Sequence, residues 1–503
     1  MTTLPKSTPQ LPTATPNNTS TKSPRKSVNK VAHDIVKAVK TDPTLAANTH
    51  IDNANHNDPA NTQQTNAKTK IVDLSTLDSG LAKGSSDNMP PLPLKELVKQ
   101  YDSVSLLLQG GGALGAYQAG IYEGLHNQGI TIDRISGISI GALNTAIIAG
   151  NLPENRLAAL QGFWQTITQR NYTPSGFNIY RQTTQNLEKM GKIDAISHFM
   201  PWVFENGFLK QQLRLLESSS EAFSTMIEGQ KGFFKPRYFI LYDTTPNNLS
   251  YYTTDKLRET LEKYCDLSLV NDVSRMKVSV SAVNVRTGNF AIFSNENEEL
   301  RYDHFIASGA LPPGFPAVEI DGEFYWDGGM VSNTPLNEIL SHEEYLKQLI
   351  FQVDLWDARG LVPESMLEID ERVKDIQYSS KTRMVTDFMA QKLRYTRLIK
   401  DLLQIIEEDP NLGSDDLERI ATARGITEVG VKNVIHLIYH KKTYERGYKD
   451  YEFSAATMQE HWQSGLDDIE NTFRHPDWFG LPDTDEIFVT HDIHQKRKKL
   501  SQK

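Results

Sequence analysis

The stretch Val104-Ser105-Leu106-Leu107-Leu108-Gln109-Gly110-Gly111-Gly112-Ala113-Leu114-Gly115 decides how the rest of the chain is read. A short apolar run that stops at glycines is the pattern of a strand buried on both faces. Helical spacing starts at Ala113 and continues to Gln128, where Gly129 supplies a C-cap. The same order then repeats. Ile130–Ser136 reads as a strand, Gly137-Ile138-Ser139-Ile140-Gly141 as a turn and Ile140–Ala149 as a helix. Strand, glycine turn and helix, twice in succession, predict an α/β domain with a parallel sheet.

Working outward, further strands are expected at 237–241, 277–285, 290–293, 323–326 and 349–356. Residues 170–236 break the alternation. Within them HFMPWVFENGFLKQQLRLL (198–216) is dense in large apolar side chains, among them Phe199, Met200, Trp202, Phe204, Phe208 and Leu209. Such a cluster is either core or a lid or insertion that faces lipid. From Leu361 to the end the chain reads as a helical extension. Val385, Phe388, Tyr395, Ile399, Leu402 and Ile406 recur at steps of three, four or seven, and helices are expected at Asp415–Arg424, Glu428–Glu445 and Ala455–Arg474. Residues 1–92 are rich in Thr, Asn, Pro, Ser and Lys, as in NANHNDPANTQQTNA (53–67). They are expected to be a disordered tail, with one short amphipathic helix near Ala32–Lys40. The ordered hydrolase-like domain is then 93–360, and 361–503 is the extension.

Composition narrows the function. With 503 residues, 38% of them hydrophobic, the chain can build a sizeable core. A net charge of −10 argues against nucleic acid as a partner. The single cysteine, Cys265, excludes an internal disulfide and a cysteine-rich metal cage, and reads as a small half-buried hydrophobe in a helix. No apolar run approaches the ~18 residues of a membrane span, and the first residues lack an apolar signal segment. A cytoplasmic protein is the expectation. Residues 1–40 carry seven Lys/Arg against Asp34, and Lys496, Arg497, Lys498 and Lys499 cluster at the far end. These basic ends are either solvated tails or peripheral contacts for anionic lipid.

Three glycine motifs carry the chemistry. Gly110–Gly115 follows a strand and opens a helix, so its unpaired N–H groups can stabilise a phosphate or an oxyanion. The spacing also fits G-x-G-x-x-G, and Asp133 stands near the place of a ribose-binding acid, so a nucleotide-binding enzyme stays open. Gly137-Ile138-Ser139-Ile140-Gly141 fits a nucleophile elbow, with Ser139 on a sharp strand-to-helix turn. Asp327-Gly328-Gly329 follows the strand-like Glu323–Trp326 and can aim a carboxylate into a cleft, or be a plain Asp-Gly turn. A serine needs a base. His304, close to the third motif, and His126 are the histidines considered for it. His436 and His440 lie four apart on an expected helix, a spacing for a metal, but lack an intervening Glu and a third ligand. No metal or cofactor is expected.

In order, GGGALGAYQAG (110–120), GISIGALN (137–144), ASGALPPGFPAVEIDGEFYWDGG (307–329) and SNTPL (332–336) resemble the patatin-like phospholipase family over about residues 103–340. That resemblance implies a three-layer α/β fold with a mainly parallel sheet and a Ser–Asp dyad in place of a triad. Ser139 would be the nucleophile and Asp327 its base. Gly110, Gly111, Gly112 and Gly115 would form the oxyanion hole, and Gly137, Gly141, Gly328 and Gly329 would be the elbow and motif glycines. It also implies hydrolysis of ester bonds in phospholipids or related lipids, without a cofactor. From FQVDLW (351–356) through Tyr378-Ser379-Ser380 onward, the chain is similar to the helical extension of a bacterial subgroup. One departure stands out: many members carry Arg or Lys where this chain has Leu114. A patatin-shaped scaffold that binds a membrane or partner without catalysis is the remaining alternative. The particular lipid and the oligomeric state are not legible.

Overall fold

The computed structural model describes residues 94–169, 208–237, 245–341, 345–380, 382–407, 412–427, 430–442, 444–482 and 488–493. The chain divides into two units, 1–87 and 88–503, and the description concerns the second. The expected polar tail with its helix at 32–40, the apolar cluster before Phe208 and most of the strand expected at 237–241 lie outside the described residues.

The strands are β1 (Ser103–Leu108), β2 (Arg134–Gly137), β3 (Lys235–Pro236), β4 (Tyr252–Thr253), β5 (Lys277–Asn284), β6 (Phe290–Ser294), β7 (Val318–Ile320), β8 (Glu323–Asp327), β9 (Gln348–Asp354), β10 (Lys432–Ile438) and β11 (Phe488–Asp492). Nine of them form one sheet in the order β11-β10-β9-β1-β2-β5-β8-β7, with β6 also on β5. Pairing is parallel from β11 through β5 and antiparallel where β6, β7 and β8 join. The expected mainly parallel α/β architecture is therefore present. β1 and β9 are buried along their whole lengths, which is why they read as unbroken apolar runs and not as alternating ones.

Helices α1 (Ala116–Asn127), α2 (Ile140–Ala149), α3 (Arg156–Ile167), α4 (Phe208–Glu228), α5 (Tyr302–Ser308), α6 (Met366–Tyr378), α7 (Thr382–Glu407), α8 (Ser414–Thr427) and α9 (Ala455–Phe473) are the ones that matter for the site. α1 packs along α9, and small residues make this possible. A Cβ on Gly120 would strike the carbonyl of Trp462, and one on Gly465 the carbonyl of Tyr117. The stripe expected after Leu361 forms on α7, but Phe388, Tyr395, Ile399 and Ile406 are exposed there.

Three local expectations are corrected. The helix expected at Glu428–Glu445 is strand β10, whose Val434, Ile435 and Leu437 are buried between β9 and β11. A β-branched run buried on both faces has no strand-like alternation to reveal it. The C-terminal part is thus mostly helical, yet it also supplies two strands to the main sheet. β2 begins at Arg134, not Ile130, because Asp133 closes its start: its carboxylate accepts the Val104 N–H at 2.8 Å, and its own N–H donates to the Val104 carbonyl. Cys265 is buried just beyond a helix end, and burial pushes its thiol up to about 12.

Candidate active site

The sheet itself brings the two central side chains together. β2 ends at Gly137, opposite Val280 of β5. β8 pairs with the later half of the same strand, Asp327 opposite Ala282. The ends of β2 and β8 therefore meet beside one another. Ser139 leaves β2 on a sharp turn into α2, with φ 56° and ψ −125°. A non-glycine residue in that region is strained, and such strain persists only where surrounding contacts hold it. Here the Ser139 N–H donates to Ser308 Oγ at 3.0 Å, and Ser308 Oγ in turn donates to the Ser281 carbonyl at 2.7 Å. Gly137 and Gly141 face each other across the turn, and Gly141 lies against the Leu108 carbonyl.

Asp327 is buried, with only 2% of its surface exposed. Its carboxylate accepts the Gly329 N–H at 2.7 Å, and the Ser139 side chain is near enough to favour its charged form. Burial is the dominant influence and lifts its pKa to about 7, while the Ser139 side chain and the Gly329 N–H oppose the rise. The result is a carboxylate more basic than a solvated one, lining the same cavity as a hydroxyl. Such a pair can take the hydroxyl proton and return it.

The glycine loop closes over the serine. A Cβ on Gly110 would lie 2.9 Å from Ser139 Cβ. Gly112 adopts φ +55°, and a side chain there would strike the carbonyl of Asp450, which accepts the Ala113 N–H at 2.8 Å. Among the described residues, no hydrogen bond takes the N–H of Gly111 or Gly112. These are free donors beside Ser139. Gly115 is different. It is packed against Ile140 and Trp164, and its carbonyl accepts from Asn144 Nδ2 at 3.0 Å. Gly329 lines the cavity, whereas Gly328 sits against the Ser281 carbonyl. Leu114 is fully buried in the core, so no charge tethers the loop from that position.

Ser139, Asp327 and Gly110–Gly112 open into a cavity of about 360 Å³. Its apolar part is an aromatic cluster: Phe233 lies 5.1 Å from Phe234, 5.8 Å from Phe315 and 5.5 Å from Phe453, and Tyr252 lies 4.9 Å from Phe234. Thr225 and Met226, from the last turn of α4, also line it. So do Tyr378, Asp450, Tyr451 and Phe453 from the C-terminal part. Motif reading did not find these last residues, nor Asn333 and Trp356, which also line the cavity. Asn333 stands within the SNTPL string, but no role followed from it.

The histidines considered as a base lie elsewhere. His304 is buried on α5, where its Nδ1 accepts the Arg301 N–H at 2.8 Å; burial, aided by the Arg301 charge, pushes it down to about 4. Neither it nor His126, in the last turn of α1, lines the cavity. His436 lies on β10, not on a helix, and bonds Asp354 at 2.5 Å, while His440 faces Asp357. Among the described residues, no group of three or more His, Cys, Asp or Glu is placed to hold a metal ion. The nucleotide reading also fails geometrically. Asp133 stands at the start of β2, at the end of the sheet remote from Gly110–Gly112.

A family model described as patatin-like phospholipase matches residues 106–340, and a second, described as patatin phospholipase, matches residues 376–485. The lysophospholipase nte1 of Aspergillus terreus is 53% identical over 47 residues, which are 9% of this chain and 3% of that protein. This chain therefore spans only a small fraction of that relative. Among solved structures, VipD from Legionella pneumophila is 16% identical with a TM-score of 0.32, over 78% of this chain and 72% of its own. Human GIVD cytosolic phospholipase A2 is 13% identical with a TM-score of 0.25, over 52% and 45%.

Proposed function

The chain belongs to the patatin-like phospholipase family, and on that ground we propose that it is a serine lipid acyl hydrolase working through Ser139 and Asp327. The observation that carries the reading is the convergence of Ser139, on its strained elbow, and the buried Asp327 carboxylate on one cavity beside Gly110–Gly112. Asp327 takes the hydroxyl proton as Oγ attacks the ester carbonyl. The free N–H groups of Gly111 and Gly112 receive the oxyanion of the tetrahedral intermediate. Collapse expels the alcohol, which leaves with the proton from Asp327, and the acyl group stays on Ser139. Water, deprotonated by the same carboxylate, then releases the fatty acid.

The aromatic and aliphatic lining of the cavity favours an acyl chain over a sugar or nucleotide. Phospholipids and related lipid esters are the proposed substrates, met by peripheral contact with a lipid surface. No described helix is long and apolar enough to cross a membrane. The test compares wild type with Ser139→Ala on a soluble chromogenic ester and on phospholipid vesicles, with mass spectrometry of the released products. Loss of free fatty acid release in the variant, with its fold intact, is the expected result; unchanged release overturns the assignment.

A further inference from the structure

We propose that Asn333 and Trp356 are positioning residues for the oxyanion hole, acting together on one peptide group. The inference rests on the hydrolase reading above. The Gly110 carbonyl accepts two side-chain hydrogen bonds, from Asn333 Nδ2 at 3.0 Å and from Trp356 Nε1 at 2.9 Å. A trans peptide is planar, so its N–H points opposite to its carbonyl. Fixing the Gly110 oxygen from one side therefore fixes the Gly111 N–H toward the other, and that N–H has no partner among the described residues. Gly110 itself rests on Ser139. The aimed donor is thus in the loop that packs on Ser139 and lines the same cavity.

Both clamps are themselves held. Asn333 uses its second amide hydrogen on the Tyr378 carbonyl at 2.7 Å. Its Oδ1 lies where a Cβ on Gly110 or on Gly329 would fall, so the side chain is wedged between the first and third motifs. The Trp356 ring meets the Tyr378 ring at 5.4 Å, and Lys449 Nζ sits 4.8 Å from its centroid. Lys449 is buried and bonded to Asp375 at 2.6 Å. The segment after β9 also grips the loop through Gln109, whose Oε1 accepts the N–H groups of Leu355 at 2.6 Å and Trp356 at 3.1 Å. The loop of residues 110–112 is therefore aimed partly from beyond residue 340, where the first family match ends.

A donor aimed before the substrate arrives stabilises charge that exists only in the transition state, so its loss lowers kcat and leaves KM alone. The experiment uses the full chain. Trp356→Phe keeps an aromatic ring at the site and removes the N–H; Asn333→Ala removes the other donor. Each is measured for kcat and KM on a soluble ester, for inhibition by a trifluoromethyl ketone, which forms a tetrahedral oxyanion on serine, and for thermal stability. Each variant is expected to lose about tenfold or more in kcat, short of the 100- to 1,000-fold typical of deleting a donor outright. KM should stay within about twofold, and ketone affinity should fall in parallel with kcat. Unchanged kcat overturns the inference, as does a kcat loss with ketone affinity retained, or one that tracks only a fall in melting temperature. Absence of Ser139-dependent turnover in the wild type overturns the hydrolase reading, and this inference with it. Turnover that needs Ser139 but ignores both clamps overturns the inference alone.

Discussion

Asp327 is a buried carboxyl whose folded-state pKa, about 7, lies well above the 3.8 of a solvated aspartate. The ionised form is the proposed base, so kcat/KM on a soluble ester should fall one log unit per pH unit below about 7. The same shift is a statement about stability. Between pH 3.8 and about 7 the folded state holds a proton that the unfolded state has lost. Stability is therefore lost as pH rises through that window, and the full penalty applies above it. Asp327→Asn should consequently be more stable than wild type at pH 8, by up to about 4 kcal/mol, with the gain fading near pH 4; denaturant melts at the two pH values check it. In activity, Asp327→Asn should be nearly as damaging as Ser139→Ala, and the double variant little worse than either. On the same ester, His126→Ala and His304→Ala should keep turnover. A dead histidine variant beside an active Asp327→Asn would mean that an imidazole is the base. Ser139 and Asp327 stand in glycine motifs at strand ends, and it was the family resemblance of those motifs that singled them out. Asn333 and Trp356 were not legible, since each meets the Gly110 carbonyl across more than 200 residues, and nothing local in sequence marks a polar side chain as the partner of a distant carbonyl.

Elements show the same division. β1, α2, β5 and β9 were readable within a few residues, because buried parallel strands and glycine-bounded helices leave strong local patterns. β10 was read as a helix because its apolar run lacks alternation, although its Val and Ile content favours a strand. Its burial between β9 and β11 gives a direct test. Val434→Asp places an unpaired charge at a site with no exposed surface and should abolish soluble folded protein. Phe388→Gln, on the exposed face of α7, should change stability by less than about 0.5 kcal/mol. Comparing the yield and melting temperature of the two variants separates the strand reading from the helical one. A helix over 428–445 would have an outer face able to take many charges; a strand buried on both sides has none.

At the scale of the molecule, the two family matches fall on one structure. β9 lies between β1 of the first match and β10 of the second. One hydrophobic core contains Leu106 and Ile135 together with Ile435, Leu437 and Phe479. The boundary expected at residue 360 thus falls inside a single sheet. Removing 361–503 would expose the edge of β9 and the face of α1 that packs on α9. It would also remove the Tyr378 carbonyl, which accepts from both Gln109 and Asn333, and the Asp450 carbonyl, which accepts the Ala113 N–H. Residues 88–360 alone should therefore be insoluble or loosely packed, and without turnover. Residues 1–87 are rich in Thr, Asn, Pro, Ser and Lys, a composition that predicts no core of their own. The chain 88–503 should accordingly retain full turnover on a soluble ester and unfold in one calorimetric transition, with matching calorimetric and van't Hoff enthalpies. Two resolved transitions in 88–503 would show that the C-terminal part folds by itself. A soluble, active 88–360 would show that neither β10 nor the carbonyls of Tyr378 and Asp450 are needed to hold the glycine loop.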